Sequence, residues 1–425
     1  MAYTETQTVG YGTRVGNSFK GIGMGIIMFL AGTVLLWWNE GRFVKTDKML
    51  NEAQGKTEEL ATIDRIDPEM DGQLVYATGV AITKDSLTDA DFGFGATAVR
   101  LQRTVEYFQW VEHEKQERKD KTGGSEEIKT TYTYERAWVD QPVQSESFKD
   151  PEYQKKNFVL TTVEPMQQQA ETVKFGAFVL NQGQISRIHG DMPLNVKIDS
   201  AKLVSMNKDT RRLIRAKGVQ VDDSTACVYA LQNTLYYGAN PSSPSVGDVR
   251  VTWTMVKPEN KITIIAKQKD NTFTNFKAKN GKSFSTLVMG TKDVDEIYES
   301  EHDENSMIVW ILRIVGIFIV IGGLKGIFGF LETILNVVPF IANIFGWGVG
   351  VVCTVIGVVW SLIIIALAWL FYRPVIGIAL LAIAGFLVWV FAFKGKDKLK
   401  ELAAMAKKKA AEARVERDNV ILYGK

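Results

Sequence analysis

Two uncharged apolar stretches near the C-terminal end, residues 346–370 and 374–393, constrain this chain most. Each is long enough to cross about 30 Å of hydrocarbon as a helix, which takes about 20 residues. A soluble protein has little use for two such stretches separated by only three residues. We therefore predict an integral membrane protein, although 46% hydrophobic content and a net charge of +2 describe an ordinary soluble chain.

A third uncharged run, residues 21–38, lies near the N-terminus and ends in Trp37 and Trp38. A cleaved signal peptide would need a small-residue cleavage site after the apolar core, whereas tryptophans suit a membrane interface. We therefore predict a retained transmembrane helix. Gly21 and Gly25 form a small-xxx-small pair, which either lets another helix approach closely or is merely tolerated.

The remaining span, residues 306–326, is unusual because it contains Arg313 and Lys325. A charge at membrane depth is costly and often functional, but each side chain can also snorkel to its own interface. Both readings stay open. Residues 327–345 then show an apolar stripe opposite polar positions, which predicts an amphipathic helix in the interface that Pro339 ends or kinks.

The long middle region, residues 39–305, has the alternation of β-strands. Residues 98–110 place Val99, Leu101, Val105 and Tyr107 on one face, and residues 128–138 are expected to return as the partner strand of a hairpin. Residues 249–256 and 261–268 predict a second hairpin around the turn 257–260. We expect a large β-rich domain, or a pair of them.

The charges beside the spans predict which side of the membrane each segment faces. Residues 394–425 carry ten Lys/Arg and five Asp/Glu, and positive segments beside a span stay in the cytoplasm. Four spans then place residues 1–20, with Arg14 and Lys20, on the same side, and the β-rich domain outside the cytosol. The basic tail is either a simple topology anchor or a site for anionic lipid.

Chemical motifs are scarce. The histidines His113, His189 and His302 lack any ligand spacing, and Cys227 and Cys353 fall in different environments, which disfavours a metal site or an intrachain disulfide. No nucleophile elbow, phosphate loop or dinucleotide fingerprint occurs. We therefore expect no cofactor, and a domain outside the cytosol would not meet nucleic acid.

Short motifs in the order of the four spans resemble the LUMA family of four-pass membrane proteins over nearly the whole chain. They are Asn39-Glu40-Gly41-Arg42, Lys45-Thr46, Ala98-Val99-Arg100-Leu101, Tyr107, Gln109-Trp110-Val111-Glu112, Val246-Gly247-Asp248-Val249-Arg250-Val251, Ile264-Ile265-Ala266-Lys267-Gln268, Asn305-Ser306-Met307, Trp310, Leu312-Arg313, Gly316 and Trp369-Leu370-Phe371-Tyr372-Arg373-Pro374. The Lys-rich extension beyond residue 393 departs from the family pattern. The resemblance implies no enzymatic activity and a homo-oligomer that organises other membrane proteins, in the endoplasmic reticulum and inner nuclear membrane of a eukaryotic cell. For a bacterial chain we expect the inner membrane.

The candidate site residues are those expected where the β-rich domain meets the membrane. They are Asn39, Glu40, Arg42, Arg313, Tyr372 and Arg373. Our hypothesis is that Glu40 pairs with Arg373 or Arg42 and docks the domain onto the helices.

The predicted fold class is an α+β membrane protein with four transmembrane helices and a large β-rich extracytoplasmic domain inserted between the first and second. The predicted parts are a cytoplasmic tail (1–20), spans at 21–38, 306–326, 346–370 and 374–393, the β-rich domain (39–305), the interfacial segment (327–345) and the basic cytoplasmic helical tail (394–425). The expected function is a non-enzymatic scaffold whose partners are membrane lipids, other membrane proteins and further copies of itself. The alternatives are a channel or transport component, and a lipid-handling enzyme with a carboxylate or histidine cluster near the membrane.

Overall fold

The computed structural model describes residues 3–335 and 339–373, with residues 378–379, 382–383, 385–386 and 389 beyond them. The chain forms two compact units. One, the β unit, comprises Met1–Thr8, Asp47–Lys119 and Glu127–Asp303, and the other, the helical unit, comprises Val9–Thr46, Asp120–Glu126 and Glu304–Lys425.

Long helices lie toward both ends of the described chain, and strands fill most of the middle. The helices in the described residues are α1 (Tyr11–Gln54), α2 (Gln182–Ile185), α3 (Ser200–Ala216), α4 (Val294–Leu335) and α5 (Pro339–Tyr372), with 3-10 turns at Pro68–Met70 and Ser145–Ser147. The strands are β1 (Tyr3–Val9), β2 (Thr57–Glu59), β3 (Leu74–Ile82), β4 (Ser86–Asp89), β5 (Phe94–Thr97), β6 (Arg100–Asp120), β7 (Glu126–Val139), β8 (Met166–Gln169), β9 (Lys174–Phe175), β10 (Phe178–Val179), β11 (Asp191–Pro193), β12 (Val228–Leu231), β13 (Thr234–Tyr237), β14 (Val249–Val256), β15 (Glu259–Lys269), β16 (Thr272–Thr274), β17 (Phe276–Lys277), β18 (Ser283–Phe284) and β19 (Thr286–Met289). The structure is therefore α+β with a large β-rich part, as predicted.

Two larger sheets make up most of the β unit. The first has the order β1-β7-β6-β14-β13-β12, with β11 on β14 and β8 on β6. The second has the order β10-β9-β3-β15-β16, with β19 on β15 and β2 on β3. The β2–β3 pair is parallel, whereas β3–β15 and β6–β14 are antiparallel.

The predicted hairpin of β6 and β7 is confirmed, and the apolar face chosen for β6 is buried: Leu101, Val105 and Tyr107 are each at most 4% exposed. The second predicted hairpin is wrong. Its strands exist as β14 and β15, but β14 pairs with β6 and β13 while β15 pairs with β3, β16 and β19 in the other sheet. Alternation shows that a segment is a strand and which face is buried, but it does not identify the neighbouring strand.

The β unit has three apolar cores. One lies around Phe175, Phe178 and Phe273, and a second around Trp253, which is fully buried and packs edge-on against Phe92 at 4.8 Å. In the third, Met49, Leu50 and Ala53 of α1 and Ile297 and Tyr298 of α4 pack with Leu74 and Ile265. The polar segment after the first span is thus the continuation of α1, and the acidic segment before the second is the start of α4.

Three helices in the described residues are long and apolar enough to cross a membrane: Tyr11–Gln54, Val294–Leu331 and Gly348–Tyr372. The first two contain the predicted first and second spans, and the third contains all but the first two residues of the predicted third span. The predicted fourth span, residues 374–393, lies almost entirely outside the described residues, and the basic tail 394–425 lies wholly outside them.

Two predicted segments look different in the structure. Residues 327–335 continue α4 without a break, and α5 starts at Pro339, where proline is tolerated because a first-turn amide has no helical partner. The predicted interfacial segment 327–345 thus falls on the end of α4, the start of α5 and residues outside the described part, and its interfacial location stays a prediction. Residues 3–9 of the predicted cytoplasmic tail form strand β1 in the same sheet as β7.

Glycines bring α1 and α4 close together in the helical unit. A Cβ atom on Gly25 would lie 2.6 Å from the Ile327 backbone nitrogen and 2.7 Å from the Gly323 carbonyl oxygen. A Cβ atom on Gly323 would lie 2.5 Å from the Phe29 nitrogen, whereas Gly21 is looser, 4.0 Å from the Gly326 oxygen. The close-approach reading of this glycine pair is confirmed at Gly25.

Candidate functional site in the helical unit

The centre of the site is an ion pair between α1 and α4. The Glu40 side chain is 0% exposed, and that of Arg313 is 12% exposed. Arg313 Nε donates to Glu40 Oε1 at 2.6 Å and Nη2 donates to Oε2 at 2.8 Å. Two parallel charge-assisted bonds of this kind fix both distance and orientation. The hypothesis that Glu40 pairs with Arg373 or Arg42 is therefore corrected: its partner is Arg313.

Tryptophans complete the environment of this pair. Trp369 on α5 donates its indole N–H to Glu40 Oε2, so the carboxylate contacts all three helices. The Arg313 guanidinium lies 4.7 Å from the Trp310 ring centroid and 5.7 Å from that of Trp369. A delocalised guanidinium is stabilised by aromatic faces as well as by its counter-ion. Arg313 is thus held by a counter-ion and by aromatic faces, and snorkelling of Arg313 and of the exposed Lys325 to the membrane interfaces stays a prediction.

Amide side chains add further links between α1 and α4. Asn39 Nδ2 donates to the Val309 carbonyl at 3.0 Å, and Asn305 Nδ2 donates to the Phe43 carbonyl at 3.2 Å. Arg42 Nη1 donates to Asn305 Oδ1 at 3.1 Å. Within apolar surroundings such polar atoms need partners inside the protein, so these bonds specify one packing of the two helices.

The end of α5 meets the same region. A Cβ atom on Gly41 would lie 2.7 Å from the Tyr372 hydroxyl oxygen, so the ring needs glycine beneath it. The Arg373 guanidinium lies 5.5 Å from the ring centroids of both Phe43 and Trp369. All six predicted site residues therefore belong to the helical unit, and each contacts another of its helices. Their role as a junction with the β unit stays a prediction.

The sequence model of one protein family, described as "Transmembrane protein 43", matches residues 107–374 of the chain. The chain belongs to the transmembrane protein 43 family. This confirms the resemblance read from the sequence, and Arg313, Trp369 and Arg373 all lie within the matched residues.

Individual transmembrane protein 43 sequences match over most of their length. The rat protein (Rattus norvegicus) is 29% identical over 374 residues, covering 86% of this chain and 88% of the relative. The human protein is 28% identical over the same shares, and the Drosophila melanogaster homologue is 26% identical over 363 residues, 84% of this chain and 90% of the relative. No solved structure matches the chain.

One buried charged cluster was not predicted from the sequence. In the β unit, Arg103 Nη1 contacts both Asp89 oxygens at 2.8 Å, and Trp253 Nε1 donates to Asp89 Oδ2 at 2.8 Å. Arg103 also donates to Asp91 and to the Glu164 carbonyl. The sequence contained a signal for this cluster. Arg103 lies two residues from both Leu101 and Val105, so its side chain belongs to the same buried face of β6.

A second buried carboxylate lies in the Val246–Val251 motif. Asp248 accepts bonds from the Tyr236 hydroxyl and from the Ser245 amide at 2.8 Å. Burial raises the pKa of Asp248, and burial together with the Asp248 contact raises the pKa of the Tyr236 hydroxyl. A buried pair of this kind can stabilise the fold or take part in proton transfer. Among the described residues, no group of three or more His, Cys, Asp or Glu side chains could hold a metal ion.

Proposed function

We propose that this chain is a non-enzymatic membrane scaffold that forms homo-oligomers and organises membrane proteins or lipids. The observation that supports it best is the Glu40–Arg313–Trp369 cluster, which commits the buried charges of the helices to contacts between helices. A charge retained in apolar surroundings is usually functional, and here its effect is to specify one bundle.

The hydroxyl groups of the described spans support the same reading. Thr33, Thr354 and Ser361 donate to the carbonyls of Phe29, Gly350 and Gly357 in their own helices, at 2.7–2.8 Å. A hydroxyl that bonds to its own helix is satisfied without a polar path. The described helices therefore give the channel alternative little support.

The surface of the bundle offers contact area for neighbours. Trp38 is 56% exposed, Trp310 61% and Phe371 74%. Trp310 contacts Arg313, and Trp38 and Phe371 are each two positions in sequence from Glu40 and Trp369. Exposed aromatic side chains in a membrane protein anchor it at the lipid–water interface or contact other membrane proteins. We propose a multi-pass location in the endoplasmic reticulum and inner nuclear membrane, or in a bacterial inner membrane.

Native mass spectrometry of the full chain in detergent tests the scaffold directly. We expect masses at multiples of 47.5 kDa together with bound lipid or co-purified membrane proteins. A monomer without protein or lipid partners would contradict the proposal. Ion flux in liposomes that depends on the reconstituted protein would replace it with the channel alternative.

A further inference from the structure

An apolar cavity, the α4–α5 groove, lies between two helices of the helical unit. Its volume is about 590 Å³, within the usual range for a small-ligand site. Its walls include Leu324, Phe328 and Leu331 on α4 and Val349, Val352 and Ile356 on α5. Four of these side chains are 40–53% exposed, so the groove opens onto the surface of the bundle. The described lining side chains carry no charged, amide or hydroxyl group, and such walls suit a hydrocarbon chain.

The groove lies where the apolar parts of α1 and α4 meet polar chain. On this side of the bundle the predicted spans 21–38 and 306–326 are bounded by Gly21 and Gly326. A Cβ atom on Gly21 would lie 4.0 Å from the Gly326 carbonyl oxygen, so the two boundaries are at the same level. The groove residues Leu324 and Leu331 lie on either side of this level in α4. The groove therefore leads from the membrane interface into the hydrocarbon.

Lys325 brings positive charge to the α4–α5 groove. It is exposed, it follows Leu324 in the chain, and it lies within electrostatic reach of Cys353, which lines the groove from α5. Among the side chains that the structure describes, Lys325 forms no ion pair. The exposed Lys20, next to Gly21, adds a second positive charge at the same level. A lysine near the end of a span extends its ammonium to the headgroup region, where an anionic group would neutralise it.

We propose that the α4–α5 groove binds a phospholipid with an anionic headgroup, with one acyl chain between the helices and the phosphate beside Lys325. Apolar walls next to a positive charge match the two parts of such a lipid, and basic pockets between spans are known to bind anionic headgroups. The charges beside the spans predict that this end faces the cytoplasm, whose leaflet carries anionic lipid. The inference rests on the proposed function and deepens it by naming the class of lipid and its site.

Native mass spectrometry of the full chain in detergent tests the headgroup. Phosphatidylserine and phosphatidylcholine with the same acyl chains are the two probes. We expect phosphatidylserine to bind more tightly, and Lys325→Gln to weaken its binding about fivefold without changing that of phosphatidylcholine, because one lysine near an anionic lipid has an effect of this size. Lys84→Gln, at an exposed lysine of the β unit, is the control and should keep the parent affinity. Equal binding of the two lipids by the parent, or an unchanged affinity in K325Q, would overturn the inference.

Filling the groove tests the place of the acyl chain. Gly348 lines the groove and nothing lies within 4 Å of a Cβ atom there, so Gly348→Leu adds a side chain to open space. Gly350→Leu on the same helix is the matched control, because it is equally open at Cβ but outside the described lining. We expect G348L to lose most of its phosphatidylserine binding and G350L to retain it, with melting temperatures near that of the parent. Retained binding in G348L would overturn the groove as the site.

Other occupants of the groove give different results. If residues 374–393 or a second copy of the chain filled it, G348L would lower the melting temperature or the oligomer mass and leave lipid binding unchanged, which would overturn the inference. The same spectra keep this inference apart from the scaffold proposal. Oligomers without selective lipid binding remove only the lipid site, whereas a monomer that binds phosphatidylserine through Lys325 removes the oligomer and leaves the lipid site standing.

Discussion

Glu40 on α1 and Arg313 on α4 meet in a bidentate ion pair, with donor–acceptor distances of 2.6 and 2.8 Å. Their sequence separation is 273 residues, and most of the β unit lies between them in the chain. The pair therefore joins the segment that enters the β unit to the segment that leaves it. It also explains why a span of apolar residues retains an arginine.

Breaking this pair from either side should destabilise the helical unit. Replacing Glu40→Gln or Arg313→Gln leaves the other charge buried without its counter-ion, a change that costs about 3–5 kcal/mol in proteins. We expect the double variant to lose clearly less than the sum of the two single variants, measured as thermal unfolding in detergent. The cycle of Glu40 with Arg100→Gln, an arginine that pairs with Asp191 in the β unit, is the control, for which we expect additive losses. Additive losses for Glu40 and Arg313 would contradict the pairing.

Close packing of α1 on α4 should make Gly25 intolerant of a side chain. Gly25→Leu would push atoms into the Ile327 and Gly323 backbone, and overpacking of this kind costs about 1–3 kcal/mol. Gly23→Leu on the same helix is the control, because nothing lies within 4 Å of a Cβ atom there. We expect a lower melting temperature for G25L and little change for G23L. Equal melting temperatures for the two variants would refute the close approach.

The buried Asp89 should stabilise the β unit far more than its neighbour Asp91. Both contact Arg103 at 2.8 Å, but the Asp89 side chain is 0% exposed and that of Asp91 is 71% exposed. Asp89→Asn leaves Arg103 without its buried counter-ion, at a cost of about 3–5 kcal/mol. Asp91→Asn removes a solvent-screened contact and should be nearly silent. Chemical denaturation followed by tryptophan fluorescence measures both, and a similar loss from D91N would show that burial does not decide the difference.

Asp248 predicts a defined pH dependence for the β unit. Its pKa is raised in the folded state by burial, so folding favours the protonated carboxyl. The stability it contributes is complete below the unfolded pKa, about 3.9, and is lost as the pH rises through the folded pKa. We expect the difference in unfolding free energy between the parent and Asp248→Asn to fall over that range. Asp222, whose pKa is lowered by bonds from Ser224, should show the opposite slope, and equal slopes would reject the assignment.

Local patterns were enough to predict the apolar helices, the β-rich middle and the buried face of β6. These features depend on hydrophobic periodicity and span length, which act within one segment. The same patterns selected six candidate residues beside the ends of spans, where apolar helices meet polar chain. The structure places all six in the helical unit, and their role as a junction stays a prediction. The spacing of Gly21 and Gly25 also suggested that another helix could pack closely there, because small residues leave room for a neighbouring backbone.

Tertiary structure alone decided which segments pair. The strands β14 and β15 follow each other in the chain but enter different sheets, and residues 3–9 join a strand more than a hundred residues away. The sequence suggested Arg373 or Arg42 as the partner of Glu40, whereas the packing of α1, α4 and α5 selected Arg313 and added Trp369. Periodicity fixes which face of a segment avoids water, whereas a partner is chosen by the summed contacts of whole elements, which no single segment encodes.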